Sequence, residues 1–294
     1  MTWRYALIID PVAAGVDAID YASTFRAVDP SAPALSIGEL STQRGDGIFE
    51  SIGVVDGHAQ EVGPHLERLA HSAALCDLPA PELTQWRQAI DRVAVECQAG
   101  ECVIKLILSR GVEHGPTPTA WVTAAVAPDN SAARTTGVRV VTLDRGFDSG
   151  APARAPWLLL GAKTLSYAVN MAALREARRR GADDALFVTN DGVVLEGPTS
   201  SVILRFGDRF VTPEPGAGIL HGTTQMSLFA HLRDLGHDTA YETVPVSMLA
   251  DADAAWLVSS VRLAAPVSSL DATPLSIDED FTAALNAYLL RPRE

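Results

Sequence analysis

Residues 160–167 read L-G-A-K-T-L-S-Y, residues 168–181 A-V-N-M-A-A-L-R-E-A-R-R-R-G, and residues 185–196 A-L-F-V-T-N-D-G-V-V-L-E. The middle run predicts a helix at about 165–180, stopped by Gly181, because glycine readily takes the left-handed backbone that ends a helix. The last run predicts a hairpin, two β-rich arms around the turn N-D-G. Lys163 opens this stretch and Glu196 closes it. The chain has 23 Lys and Arg, and only Lys105 and Lys163 are lysines. Arginine cannot deprotonate or form an imine, whereas lysine does both. A chain that has kept so few lysines makes each a candidate for chemistry.

Working outward, R-Y-A-L-I-I-D near the start reads as a strand, and G-D-G-I-F-E-S-I-G-V-V-D-G-H as strand and hairpin. P-H-L-E-R-L-A-H-S-A-A-L-C has Leu66, Leu69, Ala73 and Cys76 at helical spacing, and 83–99 is a second helix. E-C-V-I-K-L-I-L-S-R-G and T-A-W-V-T-A-A-V-A are apolar strands expected to be buried on both faces. The small, turn-rich residues 129–137 make a linker between an N-terminal domain, 1–128, and a C-terminal domain, 138–294, that carries Lys163. Hairpins and helices mix irregularly in both halves, so the fold class is α+β.

A net charge of −13 excludes a broad basic face for nucleic acid or anionic membrane. No apolar run approaches a membrane span, and the N-terminal residues lack the basic region of a signal peptide. Cys76, Cys97 and Cys102 have neither metal nor redox spacing, so a reduced, cytoplasmic protein is expected, with no metal.

The chemistry converges on four features. Lys163 can form an imine. Glu196 ends a hairpin arm. Thr223 and Thr224 open a helix in G-T-T-Q, where free amides and the helix dipole favour a phosphate. Ser259 and Ser260 interrupt an apolar strand and need partners. Each has a plain structural alternative: Thr223 as an N-cap, the serines as a bulge, Glu196 as a surface charge. Together they match the needs of pyridoxal 5′-phosphate: an imine, a carboxylate at the ring nitrogen, and donors for the phosphate.

These motifs resemble those of the fold type IV pyridoxal-phosphate enzymes, from about Arg44 to Leu270. That family comprises branched-chain aminotransferases, D-amino-acid aminotransferases and aminodeoxychorismate lyases. The resemblance is carried by R-G-D-G-I-F-E, H-L-E-R-L-A-H-S-A, K-T-L-S-Y, D-G-V-V-L-E-G-P-T-S-S-V, I-L-H-G-T-T-Q and V-S-S-V-R-L-A-A-P-V. It implies two domains with the active site between them, a homodimer, and Lys163 as the imine lysine. It also implies that Arg68 takes the cofactor phosphate and Glu196 the ring nitrogen. Tyr167, Ser200, Thr223, Thr224, Ser259 and Ser260 complete the implied cofactor shell. Three departures stand out: no Asn follows E-G, where Ser201 lies nearby, Gln225 replaces an Arg, and residues 1–20 match nothing.

On the substrate side, the Arg-x-His pair of D-amino-acid aminotransferases is missing after S-R-G, leaving His114. The G-N-Y that follows the imine lysine in the branched-chain enzymes is missing after Lys163. V-I-K-L-I-L-S-R-G resembles the lyase pattern, which implies that Lys105 meets a substrate carboxylate. A strand lysine between Ile104 and Leu106 is costly to bury without an anion, although an edge-strand lysine can also serve to block aggregation. Phe49, Ser51, Lys105, Arg110 and His114 are the substrate-side candidates. Glu50 is more typical of the aminotransferases. The reading is a lyase acting on a small anionic substrate, with aminotransferase or dual activity as the alternative and a non-catalytic cofactor-binding protein as a third.

Overall fold

The computed structural model describes residues 2–16, 18 and 20–294, which divide into two compact units. Unit one holds 1–128, 162–167 and 291–294, and unit two holds 129–161 and 168–290.

Unit one contains β1 (Trp3–Ile9), β2 (Phe25–Val28), α1 (Leu40–Gln43), β3 (Gly47–Val55), β4 (His58–Ala59), α2 (Val62–Leu75), α3 (Leu83–Ala94), β5 (Glu101–Ser109) and β6 (Thr119–Val126). Its sheet runs β2-β1-β6-β5-β3-β4, antiparallel throughout. In β3, Glu50, Ile52 and Val54 are buried while Phe49 and Ser51 are half-buried, so the two faces differ. β6 alternates in the same way, with Trp121 and Thr123 half-buried, which corrects the expectation of strands buried on both faces. α2 covers the closed face with Leu66, Leu69 and Ala73, as its spacing predicts. Gly47 sits where β3 crosses its neighbours: an added Cβ would lie 2.7 Å from the Leu108 carbonyl oxygen, so only glycine fits.

Unit two contains α4 (Ser131–Thr135), β7 (Val138–Asp144), α5 (Ala151–Arg154), α6 (Ala168–Arg179), β8 (Asp184–Val188), β9 (Ser201–Phe206), β10 (Arg209–Pro213), α7 (Thr223–Asp234), β11 (Asp238–Glu242), β12 (Ala254–Ser259), β13 (Leu263–Leu270), β14 (Thr273–Pro274) and α8 (Glu279–Leu289). The mixed sheet runs β11-β10-β9-β12-β13-β7-β8, with β14 paired to β13. Here both faces are covered. Val202, Leu204 and Leu257 belong to one cluster, and Ile203, Trp256 and Val258 pack with Leu228, Phe229 and Leu285 of α7 and α8. That explains the unbroken apolar run A-A-W-L-V in β12. The buried Trp256 indole donates to Thr282 Oγ1 at 2.9 Å.

Two expectations about organisation change. Residues 129–137 are not a free linker: α4 docks on unit two, where Arg134 Nε donates to the Arg262 carbonyl at 2.9 Å. Lys163 does not group with the C-terminal unit. Residues 162–167 pair with β3, through Ile48↔Thr164 and a Leu165 amide donating to the Gly47 carbonyl at 2.8 Å, and so group with unit one. All three cysteines are free and buried. No described helix is long and apolar enough to cross a membrane.

Candidate active site

In unit one the site is built around the Phe49 ring on the open face of β3. Lys163 is fixed at both backbone ends: its amide donates to Ser72 Oγ at 3.1 Å, and its carbonyl accepts from the Phe49 amide at 2.9 Å. Its Nζ stands 4.8 Å from the Phe49 ring centroid. Tyr167 meets the same ring edge-on at 5.4 Å. Lys105 on β5 pairs in register with Ser51, which puts both on Phe49's face, and its Nζ lies 5.7 Å from the ring centroid. Four of the residues singled out from sequence, Phe49, Ser51, Lys105 and Tyr167, thus gather with Lys163.

Lys105 is the electrostatically exceptional member. Burial pushes its ammonium below the usual lysine range, and no other cause opposes it. Its partner residues in the sheet, Ser51 and Thr123, carry no charge. The site therefore holds a desolvated cation to which an anion is the natural complement.

The closed face of β3 carries a network that the sequence motifs do not reveal. Arg68 Nε and one terminal nitrogen donate to the two Glu50 oxygens at 2.8 and 2.7 Å, and His65 Nδ1 lies 2.8 Å from Glu50. Glu50 and His65 are fully buried. Burial alone would push the Glu50 carboxyl up, but the Arg68 charge and hydrogen bonds, with His65, hold it far below the usual carboxylate range. Burial pushes His65 below its usual value against the pull of Glu50. His65 is then neutral near pH 7 and donates from Nδ1 to the carboxylate. The family resemblance assigns Arg68 to the phosphate alone; the structure gives two of its donors to Glu50. The available signal was β-strand alternation, which puts Glu50 on the buried face, together with His65 and Arg68 one helical turn apart.

Both folded-state shifts are downward, so both contributions to stability are complete above the ordinary unfolded values and are lost as pH falls. For His65 the loss begins below about pH 6.5, and for Glu50 below about pH 4.3. The melting temperature should therefore fall steadily from pH 7 to pH 5. His65→Gln should flatten that slope in a calorimetric pH series; an unchanged slope would remove His65 as its source.

Arg110, a substrate-side candidate from sequence, is engaged within unit one. It pairs with Asp46 at 2.7 Å and donates to the Cys76 and Asp77 carbonyls at 2.7 and 3.1 Å, closing the C-terminal end of α2. His114 sits exposed in the loop after β5 with left-handed backbone, φ 63°. The structure does not bring it to Phe49.

In unit two, Glu196 ends the expected hairpin: the Phe187 amide donates to its carbonyl at 2.9 Å, and its Oε1 accepts from the Leu220 amide at 3.2 Å. α7 begins at Gly222, which is the N-cap and has no side chain to satisfy the first amides. Thr223 is thus not the cap. Thr223 and Thr224 are buried, with their hydroxyls 3.3 and 3.2 Å from Ser260 Oγ. A Cβ at Gly222 would lie 2.2 Å from Ser201 Oγ, so only glycine allows this approach. Ser259 Oγ accepts from the Arg262 amide at 3.3 Å. Ser200 is buried and its hydroxyl has no hydrogen-bond partner among the described residues. Gln225, in place of the arginine, donates to the Tyr241 hydroxyl at 3.0 Å.

Three clustered hydroxyls at an open helix N-terminus fit a phosphate, and a carboxylate fixed by one amide fits a protonated ring nitrogen. Within unit two these residues suit the phosphate and ring nitrogen of a phosphorylated pyridine aldehyde, and within unit one Lys163 offers an amine able to form an imine.

Residues 47–270 match the amino-transferase class IV family. The chain belongs to that family, whose members are fold type IV pyridoxal 5′-phosphate enzymes. A bifunctional aminodeoxychorismate lyase / D-amino acid transaminase of Mycobacterium tuberculosis is 44% identical over 280 residues, covering 90% of this chain and 97% of its own. The fold IV-transaminase of Curtobacterium pusillum matches with a TM-score of 0.92 at 46% identity, over 97% of this chain and 98% of its own. The pyridoxal-phosphate-bound form of a hypothetical aminotransferase from Mycobacterium tuberculosis matches with a TM-score of 0.87 at 41% identity, over 97% of this chain and 98% of its own.

Proposed function

We propose that the chain is a 4-amino-4-deoxychorismate lyase, releasing pyruvate and 4-aminobenzoate, with D-amino-acid transamination as a second activity. The observation that carries the lyase is Lys105: a half-buried ammonium, pushed down by burial, on the same β-sheet face as Ser51, Phe49 and Lys163. A substrate rich in carboxylates supplies the missing anion. The second activity is supported by the relative from Mycobacterium tuberculosis, which combines both, and both reactions would use a substrate amine and the same lysine, Lys163.

Bound through Lys163, pyridoxal phosphate would act as the electron sink that makes the substrate's carbon acidic. Lys163 would supply the imine-forming amine and, as a free amine, would move a proton as base and then as acid, a role worth about 10²–10⁴-fold in rate. Glu196 keeps the ring nitrogen protonated. Thr223, Thr224 and Ser260 would hold the phosphate; Arg68, which the family resemblance also assigns to it, donates to Glu50. Phe49 and Tyr167 wall the amine of Lys163 from water. Lys105 binds and orients a substrate carboxylate. The active enzyme is expected to be a homodimer, and light scattering of active protein at the mass of one chain would remove that part.

Lys105→Ala should raise KM for aminodeoxychorismate by on the order of 10–100-fold, the range of a charge pair in a partly dry site. It should leave the cofactor absorption unchanged and KM for D-alanine nearly so. An equal KM for aminodeoxychorismate in wild type and variant would take Lys105 out of substrate binding.

A further inference from the structure

A turn joins β12 to β13. Their registered pairing closes at Ser259↔Leu263, so Ser260, Val261 and Arg262 lie beyond the ladder. Ser260 is the residue whose hydroxyl meets those of Thr223 and Thr224. The local sequence does not favour this turn. It contains no glycine, and it runs into Leu263 at φ 64°, a left-handed backbone that a branched side chain keeps only where its surroundings impose it. The carbonyls of Val261 and Arg262 need donors from outside the ladder.

The short helix α4 supplies them. Arg134 Nε donates to the Arg262 carbonyl at 2.9 Å, and a terminal nitrogen of the same guanidinium donates to the Val261 carbonyl at 3.1 Å. Asn130 Nδ2 donates to the Val261 carbonyl at 3.4 Å. One planar guanidinium thus bridges two successive carbonyls in a fixed geometry, which the single nitrogen of a lysine cannot reproduce. The helix is itself held, because Ala133 packs against the core that contains Leu257 and Val267. Arg262 anchors the end of the turn a second time. Its guanidinium donates to Asp184 Oδ2 on β8 at 2.6 Å, and its amide donates to Ser259 Oγ at 3.3 Å.

We infer that Arg134 is a positioning residue for the phosphate subsite: by holding the Val261 and Arg262 carbonyls it sets the turn so that Ser260 presents its hydroxyl beside Thr223 and Thr224. A segment that reads in the sequence as a linker thereby acts on cofactor binding through the turn it grips. This inference rests on the proposed phosphate role of Ser260, Thr223 and Thr224, and all its contacts lie within unit two.

The test titrates the full chain, freed of cofactor, with pyridoxal phosphate and separately with pyridoxal. The two share ring and aldehyde, so the ratio of their dissociation constants isolates the phosphate. Arg134→Met should weaken pyridoxal phosphate about tenfold, the scale of one charge-assisted hydrogen bond, and leave pyridoxal within about twofold of wild type. Ser260→Ala should do the same. The double variant should lose no more than about twofold beyond the larger single loss, because both changes act through one hydroxyl. Should Arg134→Met not fold, Arg134→Lys takes its place; it keeps at most one of the two bonds, and a loss of at least about threefold is expected. Pyridoxal phosphate weakened by Ser260→Ala but not by the Arg134 variant overturns the inference and leaves the phosphate site standing. No loss in Ser260→Ala overturns the phosphate role of that hydroxyl, and the inference with it. Equal losses for both ligands in the Arg134 variant would make Arg134 a general stabiliser. Single losses that multiply to about a hundredfold in the double variant would make it an independent contributor. Either result overturns the inference.

Discussion

Lys163→Ala loses all covalent attachment of cofactor and, with it, on the order of 10⁴-fold or more in kcat/KM for every substrate. The substitution removes both the imine-forming amine and the proton carrier, two separate contributions at one atom. The fold should survive, because what ties residues 162–167 to β3 is backbone. The Phe49 amide binds the Lys163 carbonyl, and the Leu165 amide binds the Gly47 carbonyl. The variant should therefore melt like the wild type while giving no borohydride-reducible adduct. Lys105→Ala is the control, since it leaves the attachment intact. An adduct retained in Lys163→Ala and lost in Lys105→Ala would transfer the chemistry to the other lysine.

Glu196→Gln should keep the cofactor bound but lower kcat on the order of 10²-fold. A neutral amide no longer favours the protonated ring nitrogen, so the ring withdraws electrons less strongly. Cofactor affinity should change little, because phosphate recognition is proposed for Thr223, Thr224 and Ser260, whose hydroxyls cluster without Glu196. Near-wild-type turnover in this variant would take Glu196 out of the mechanism.

What the sequence made legible follows from the reach of each signal. The scarcity of lysine and the local run around Lys163 were enough to single it out, since composition and short motifs are read without any fold. The hairpin ending in Glu196 and the helix beginning at G-T-T-Q were also local, and both appear where expected. The role of Arg68 was only half legible. Its pairing with Glu50 joins a helix to a strand 18 residues away, and which face of β3 closes against α2 is decided by packing. The partners of Arg110 were hidden for the same reason. That arginine follows a strand motif that resembles a binding site, but the chain folds the end of α2 and Asp46 against it. The grouping of Lys163 with unit one could not be read from sequence distance, because six residues of the later chain pair with a strand more than a hundred residues earlier.

The central claim is the choice of reaction, and a side-by-side product assay on wild-type enzyme tests it most directly. Purified, cofactor-loaded protein is given aminodeoxychorismate in one reaction and D-alanine with 2-oxoglutarate in another. The account expects 4-aminobenzoate and pyruvate in equal amounts from the first, with D-alanine transaminated as the second activity. Rapid transamination of D-alanine with no 4-aminobenzoate formed would contradict the lyase and leave a class IV aminotransferase in its place.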